Sequence, residues 1–180
     1  KNAGSVSVSR NASTAFKIHY TPERDDFRHL TTFILDSNAA LAAAKSCGVS
    51  LTVYLTSAML LALQRIQDEQ TPDKRRQKPI RVVVPVNLRR LFPSRTLRNF
   101  VHVIMPEIDP RMGDYEFSEI LTSVKHQLGL LVTKKNLCAM FTPNVNAERS
   151  PLLRVMPLFL KNIAMKLVYD TVGERTNCLN

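Results

Sequence analysis

Apolar residues in this 180-residue chain gather in β-branched runs in one region and recur at helical spacing in others. The β-rich region is Pro79–Asp109. Its valine-rich runs predict one strand from about Ile80 to Asn87 and a second from about Asn99 to Ile108, with a basic loop between them. Upstream, Phe16–Tyr20 suits a short edge strand and Thr21–Asp26 a charged turn. Arg28–Leu35, carrying Thr31, Thr32, Phe33 and Ile34, suits another strand. Helical patterns occupy most of the rest. Asp36 or Ser37 can cap a helix through Ala39–Ala44, with Gly48 placed for a left-handed C-cap. Ser50 can cap a longer helix from about Leu51 to Glu69. Its residues Leu51, Leu55, Met59, Ala62 and Ile66 form a stripe, widened by Leu60, Leu61 and Leu63.

Gln70–Lys78 is polar and contains Pro72, so it reads as a loop into the central strands. Asp114 is placed to cap an amphipathic helix whose core face is Phe117, Ile120, Leu121, Val124, Leu128 and Leu131. Lys134 and Lys135 would complement its C-terminal dipole. Thr142 to Arg149 reads as a break, and Ser150-Pro151 as the start of the next helix. Pro157 starts or kinks a further one, striped by Leu160, Ile163, Ala164 and Leu167 and ended by Gly173. Residues 1–15, rich in Ser, Ala and Asn, read as a tail or linker, and residues 16–180 as one domain. The whole pattern predicts an α/β fold: a two-layer sandwich with a mixed β-sheet covered by long helices.

Composition narrows the chemistry. A hydrophobic content of 44% with 22% charged residues suits a folded chain with a sizeable core. The formal net charge of +10 favours anionic partners. The basic residues are scattered, apart from Lys74–Lys78 and the arginines of the central loop, and are not interleaved with stacking aromatics. That argues against nucleic acid. The three cysteines, Cys47, Cys138 and Cys178, are far apart. They read as reduced thiols of a cytoplasmic protein, with Cys47 and Cys138 as buried packing. No apolar run is long enough for a membrane span, and Lys1–Thr14 lacks a signal-peptide core.

Nucleophile elbows, glycine-rich nucleotide loops and histidine pairs at metal-ligand spacing are all absent. His19, His29, His102 and His126 stand alone, so no metal site is expected. The polar residues at the inner ends of the two central strands, Asn87, Arg89, Asn99 and His102, are the best candidates for a site. An arginine leaving a buried strand needs partners for several donors, ordinarily a carboxylate, and none lies nearby in sequence. Taken alone, Arg89, Arg90, Arg95 and Arg98 read first as a solvated basic loop, with an anion or cofactor-phosphate site as the functional alternative.

Three ordered segments resemble the C-terminal half of the chloramphenicol-acetyltransferase-like acyltransferases, the superfamily of nonribosomal peptide condensation domains and alcohol acetyltransferases. They are Cys47-Gly48-Val49-Ser50-Leu51-Thr52; Val84-Pro85-Val86-Asn87-Leu88-Arg89 followed by Arg98-Asn99-Phe100-Val101; and Leu153–Leu158 with Lys161-Asn162, Tyr169 and Gly173-Glu174. The likeness runs from about Phe16 to Gly173. It implies one lobe of a two-lobed enzyme whose tunnel lies between the lobes. The catalytic His-His-x-x-x-Asp-Gly motif of the first lobe is absent here, as is the second lobe's Asp-Phe-Gly-Trp-Gly segment. The chain is therefore expected to be most of the second lobe, incomplete, with no catalytic residue of its own and no activity in isolation.

By the same resemblance, Arg89 supports the active site by pairing with the aspartate of the missing motif, and Asn87 stands beside it. Asn99, Phe100 and His102 would line the substrate tunnel. The implied reaction moves an acyl group from acyl-CoA or a phosphopantetheinyl carrier protein to a small-molecule alcohol or amine. The implied partner is the missing N-terminal lobe, and the face left bare predicts a homodimer or domain swap. A non-catalytic interaction or anion-binding module stands as the alternative.

Overall fold

The computed structural model describes residues 13–19, 21, 24, 27, 30–150, 155 and 157–170. Its helices are α1 (Ser37–Ser46), α2 (Leu51–Gln70), α3 (Phe117–Leu131), α4 (Lys134–Arg149) and α5 (Leu158–Val168). The strands are β1 (Ile80–Arg81), β2 (Val84–Asn87), β3 (Val101–Ile104) and β4 (Glu107–Ile108). The architecture is mixed helix and sheet. Every strand pairing among the described residues is antiparallel, so the sheet is not mixed in the sense the sequence predicts.

The two short ladders share one register. Ile80 faces Ile108, Arg81 faces Glu107, and Val84, Pro85, Val86 and Asn87 face Ile104, Val103, His102 and Val101. The Val82 N–H donates to the Pro106 carbonyl (3.2 Å) and the Leu88 N–H to the Phe100 carbonyl (3.1 Å), continuing that register through the gap and beyond it. The molecule thus holds one long hairpin from Ile80 to Ile108. Its ladder lapses where Pro106, which has no N–H, occupies an inward-bonding position opposite Val82. Pro85 falls at an outward-bonding position, where its missing N–H costs no bond to β3.

Alternation then separates the faces. Ile80, Val82, Val84, Leu88, Ile104, Pro106 and Ile108 are buried, whereas Val83, Val101, Val103 and Met105 are exposed. The buried face packs on Val53, Leu60 and Leu63 of α2 and on Ile120, Leu121 and Val124 of α3. At the open end of the hairpin, Arg81 pairs with Glu107 directly across the strands (2.6 Å) and donates to the Ser13 carbonyl (2.9 Å). The Phe16 N–H donates to the Pro79 carbonyl, and Ala15 and Phe16 enter the core. Residues 13–15, inside the stretch read as tail, are thus tied to the hairpin. No strand forms at 16–19, and Tyr20 lies outside the described residues. The strand expected at Arg28–Leu35 is also absent. Arg28 and His29 are not described, and Leu30, Phe33, Ile34 and Leu35 are exposed with no paired neighbour among the described residues.

Local signals explain the helices. Asp36 accepts from the Ala39 N–H (2.8 Å) and Ser50 from the Val53 N–H (3.3 Å), both N-caps. Gly48, at φ +65°, ends α1 in the left-handed region, and the Val49 N–H returns to the Ala44 carbonyl. Glu116, not Asp114, caps α3 through a capping box with Glu119. The Asp114 carboxylate is instead taken by Lys74, which also bonds Asp68. Lys134 and Lys135 open α4 rather than close α3, and α4 runs through Pro143 to Arg149 where the sequence predicts a break. The Thr142 hydroxyl donates to the Cys138 carbonyl one turn back (2.7 Å). Cys47 is exposed rather than packed, and Cys138 is half-buried. The start at Pro151, the end at Gly173, Cys178, and most of the Leu153–Met156 segment lie outside the described residues. On α5, Leu158, Phe159 and Ile163 are exposed. No single described helix is long and apolar enough to cross a membrane.

The buried face of α2 differs from the expected stripe. Leu55 and Met59 are exposed, and the buried positions are Val53, Thr56, Ser57, Leu60, Leu63, Gln64 and Gln67. The glutamines are buried because each amide closes two hydrogen bonds on a single residue's backbone. Gln64 donates to the Tyr115 carbonyl and accepts from the Tyr115 N–H (3.2 and 3.3 Å), and Gln67 does the same with Lys78 (3.1 and 3.3 Å). Gln70 does so with His19 (3.0 Å each way), and Gln127 of α3 with Glu107 (2.7 and 2.8 Å). Each primary amide imitates the edge of a β-strand. These latches fix irregular segments to the helices without leaving buried backbone groups unsatisfied.

Candidate functional site

The site residues lie at the closed end of the hairpin. Asn87 ends β2 and caps a one-turn 3-10 helix, Leu88–Arg90, accepting from the Arg89 N–H (3.1 Å). That turn aims the Arg89 guanidinium across the loop, where its Nη2 donates to the carbonyls of Thr96 (3.1 Å) and Arg98 (2.7 Å). Arg89 thereby closes the loop 91–98 on itself. Ser94 and Thr96 add local turns by accepting from the N–H groups of Thr96 and Arg98. Both Nη2 hydrogens are used, and among the described residues no carboxylate meets the rest of the fork. Arg90, Arg95 and Arg98 are also without an acidic partner there, and residues 82–106 contain no Asp or Glu. The tip of the hairpin is a cationic loop with a rigid arginine at its neck.

The second-strand residues divide. Asn99 is exposed, and Phe100 is half-buried and holds the ladder through its carbonyl. His102 is opposite Val86 on the inner face. Its ring meets Phe141 of α4 edge-on, with centroids 4.7 Å apart, and Phe141 in turn meets Phe92 of the loop at 6.5 Å. Burial holds the His102 imidazole below its ordinary pKa, so it is neutral at pH 7, and its Nε2 is buried with no hydrogen-bond partner among the described residues. The structure therefore brings Asn87 to Arg89 and gathers His102 with Phe92 and Phe141. It leaves Asn99 facing solvent.

This assembly holds no nucleophile with a base beside it, and no group of His, Cys, Asp or Glu suited to a metal occurs among the described residues. What it can do is bind. The arginines offer donors to an anion, and the His102 Nε2 offers one hydrogen bond inside an aromatic wall. Phe92 and Phe141 escaped the sequence reading, because an aromatic in a loop and one late in a helix carry no shared spacing. The chain matches no protein-family model, no curated protein and no solved structure.

Proposed function

We propose that this chain is the second lobe of a chloramphenicol-acetyltransferase-like acyltransferase of the cytoplasm. In this reading its Leu88–Asn99 loop faces a first lobe that supplies the catalytic histidine. The observation that carries the proposal is Arg89. One guanidinium nitrogen is locked by its own loop, and the remaining donors are presented to the outside with no carboxylate among the described residues. Such a fork suits an aspartate arriving from another lobe. The bare apolar face of Val83, Val101, Val103 and Met105, and the exposed Leu30–Leu35 segment, suit a further layer packed against them. The reaction is acyl transfer from acyl-CoA or a phosphopantetheinyl carrier to a small alcohol or amine. In it the histidine of the other lobe removes the acceptor's proton while Arg89 holds that histidine's loop in place.

The test uses the polypeptide encoded by the whole gene, assayed for thiol release from acyl-CoA with alcohol and amine acceptors. Arg89→Ala should lower kcat/KM at least tenfold, and Arg89→Lys should rescue little, since a point charge cannot fork. Circular dichroism should show both variants folded. Absence of thioester turnover, or full turnover by a folded Arg89→Ala variant, overturns the proposal.

A further inference from the structure

A cleft of 590 Å³ opens between the N-terminal strap, the end of α2 and the loop that follows it, well away from the hairpin tip. That volume falls in the range of small-molecule sites, roughly 300–1,000 Å³. Three cationic residues line it, Lys17, Arg76 and Lys78, together with His19. Among the described residues none of the three cations meets a carboxylate. The one acid in the lining is Asp73, whose carboxylate accepts from the Arg75 N–H (3.0 Å). The C-terminus of α2 adds roughly half a negative charge. Three positive charges against one and a half leave the cleft cationic.

The chain holds these charges convergent. Lys78 is latched through its own backbone by Gln67, and His19, two residues from Lys17, by Gln70. Arg76 is fixed within a 3-10 turn by its N–H bond to the Asp73 carbonyl (3.0 Å). Each of these glutamine amides spends one donor and one acceptor on fixing the walls. Pro72 and the aliphatic stems of the lysines give part of the lining an apolar character. A fixed frame carrying three cations beside an apolar wall suits a phosphate group carried on an organic body.

We infer that this cleft binds a small phosphorylated molecule of about nucleotide size, its phosphates held by Lys17, Arg76 and Lys78. The site is separate from the hairpin tip and does not depend on acyl transfer there. The test is calorimetric titration of the 180-residue chain with ADP, and separately with inorganic pyrophosphate, at fixed ionic strength. Saturable one-to-one binding of ADP is expected, tighter than that of pyrophosphate. Arg76→Gln should weaken it about three- to tenfold, and Lys17→Gln combined with Lys78→Gln at least tenfold. The charge-matched pair Lys134→Gln and Lys135→Gln, exposed at the start of α4 and outside both sites, should change it less than twofold, with unchanged thermal melts throughout. Equal weakening by that pair overturns the site, because net charge alone would then explain the binding. So does the absence of saturable ADP binding at millimolar concentration, and pyrophosphate binding more tightly than ADP overturns the organic body.

Discussion

Gln67 is the most informative single position in the molecule. Its side chain is 1% exposed, and its amide both donates to and accepts from the backbone of Lys78, joining the end of α2 to the start of the long hairpin. Gln67→Leu keeps the volume but strips both partners from that backbone. An unsatisfied buried polar group costs about 1–3 kcal/mol, so with partial rescue by water we expect a net loss of about 2–4 kcal/mol. For a chain of this size that lowers Tm by roughly 5–15 °C. Gln67→Glu separates the two bonds. The introduced carboxylate can still accept from the Lys78 N–H but repels its carbonyl, and burial raises the carboxyl pKa above its unfolded value of about 4.3. The folded state therefore favours the protonated acid, whose O–H restores the donor. The penalty is absent below pH of about 4, grows as pH rises from there through the raised folded pKa, and is complete above it. Urea titrations at pH 5 and pH 7.5, each referenced to the parent chain, measure this directly. Gln67→Leu within about 0.5 kcal/mol of the parent, or a Gln67→Glu penalty equal at the two pH values, would refute the latch.

Three further outcomes follow from the packing. His102 has a folded pKa below its unfolded value, so its contribution to stability is present above about pH 6.5 and is lost as pH falls below that. His102→Gln should flatten the acid limb of a stability–pH profile measured by urea denaturation. Leu60 is fully buried between α2 and the hairpin, and Leu60→Ala should cost about 2–5 kcal/mol in the same assay; a value under 1 would show that the core does not close there. Val103 stands on the bare sheet face, and Val103→Lys should leave stability within about 0.5 kcal/mol while reducing self-association in light scattering. A strictly monomeric parent chain at high concentration would remove the basis for that last expectation.

The long hairpin was legible in the sequence because Ile80–Asn87 and Asn99–Ile108 are dense in β-branched residues, and the helix caps because Asp36, Gly48 and Ser50 act locally. The errors share a cause: they concern residues whose role is set by a distant partner. Gln64 and Gln67 count as polar, so the sequence pattern places the buried face of α2 at Leu55 and Met59, which are exposed, and gives no hint that the exposed Gln70 latches His19. The three-residue spacing of these glutamines along one helix was the signal available for finding them. Asp114 looked like a cap because the ammonium of Lys74, forty positions away, cannot be inferred from local sequence. Phe33 and Ile34 suit a strand, but a strand forms only beside another edge, and among the described residues none lies next to them. At the hairpin tip Asn87 and Arg89 were found by their type. That Arg89 spends two donors on Thr96 and Arg98 was not foreseeable, since it depends on how the loop folds back.

The glutamine latches also divide the molecule by its response to the medium. A primary amide carries no charge and does not titrate, so the bonds at Tyr115, Lys78, His19 and Glu107 are indifferent to salt and to pH across the physiological range. The ionic contacts at Lys74 and Arg111 are largely exposed and weaken as salt rises. Changes in ionic strength should therefore alter what the cationic surface attracts while the scaffold beneath it keeps its shape.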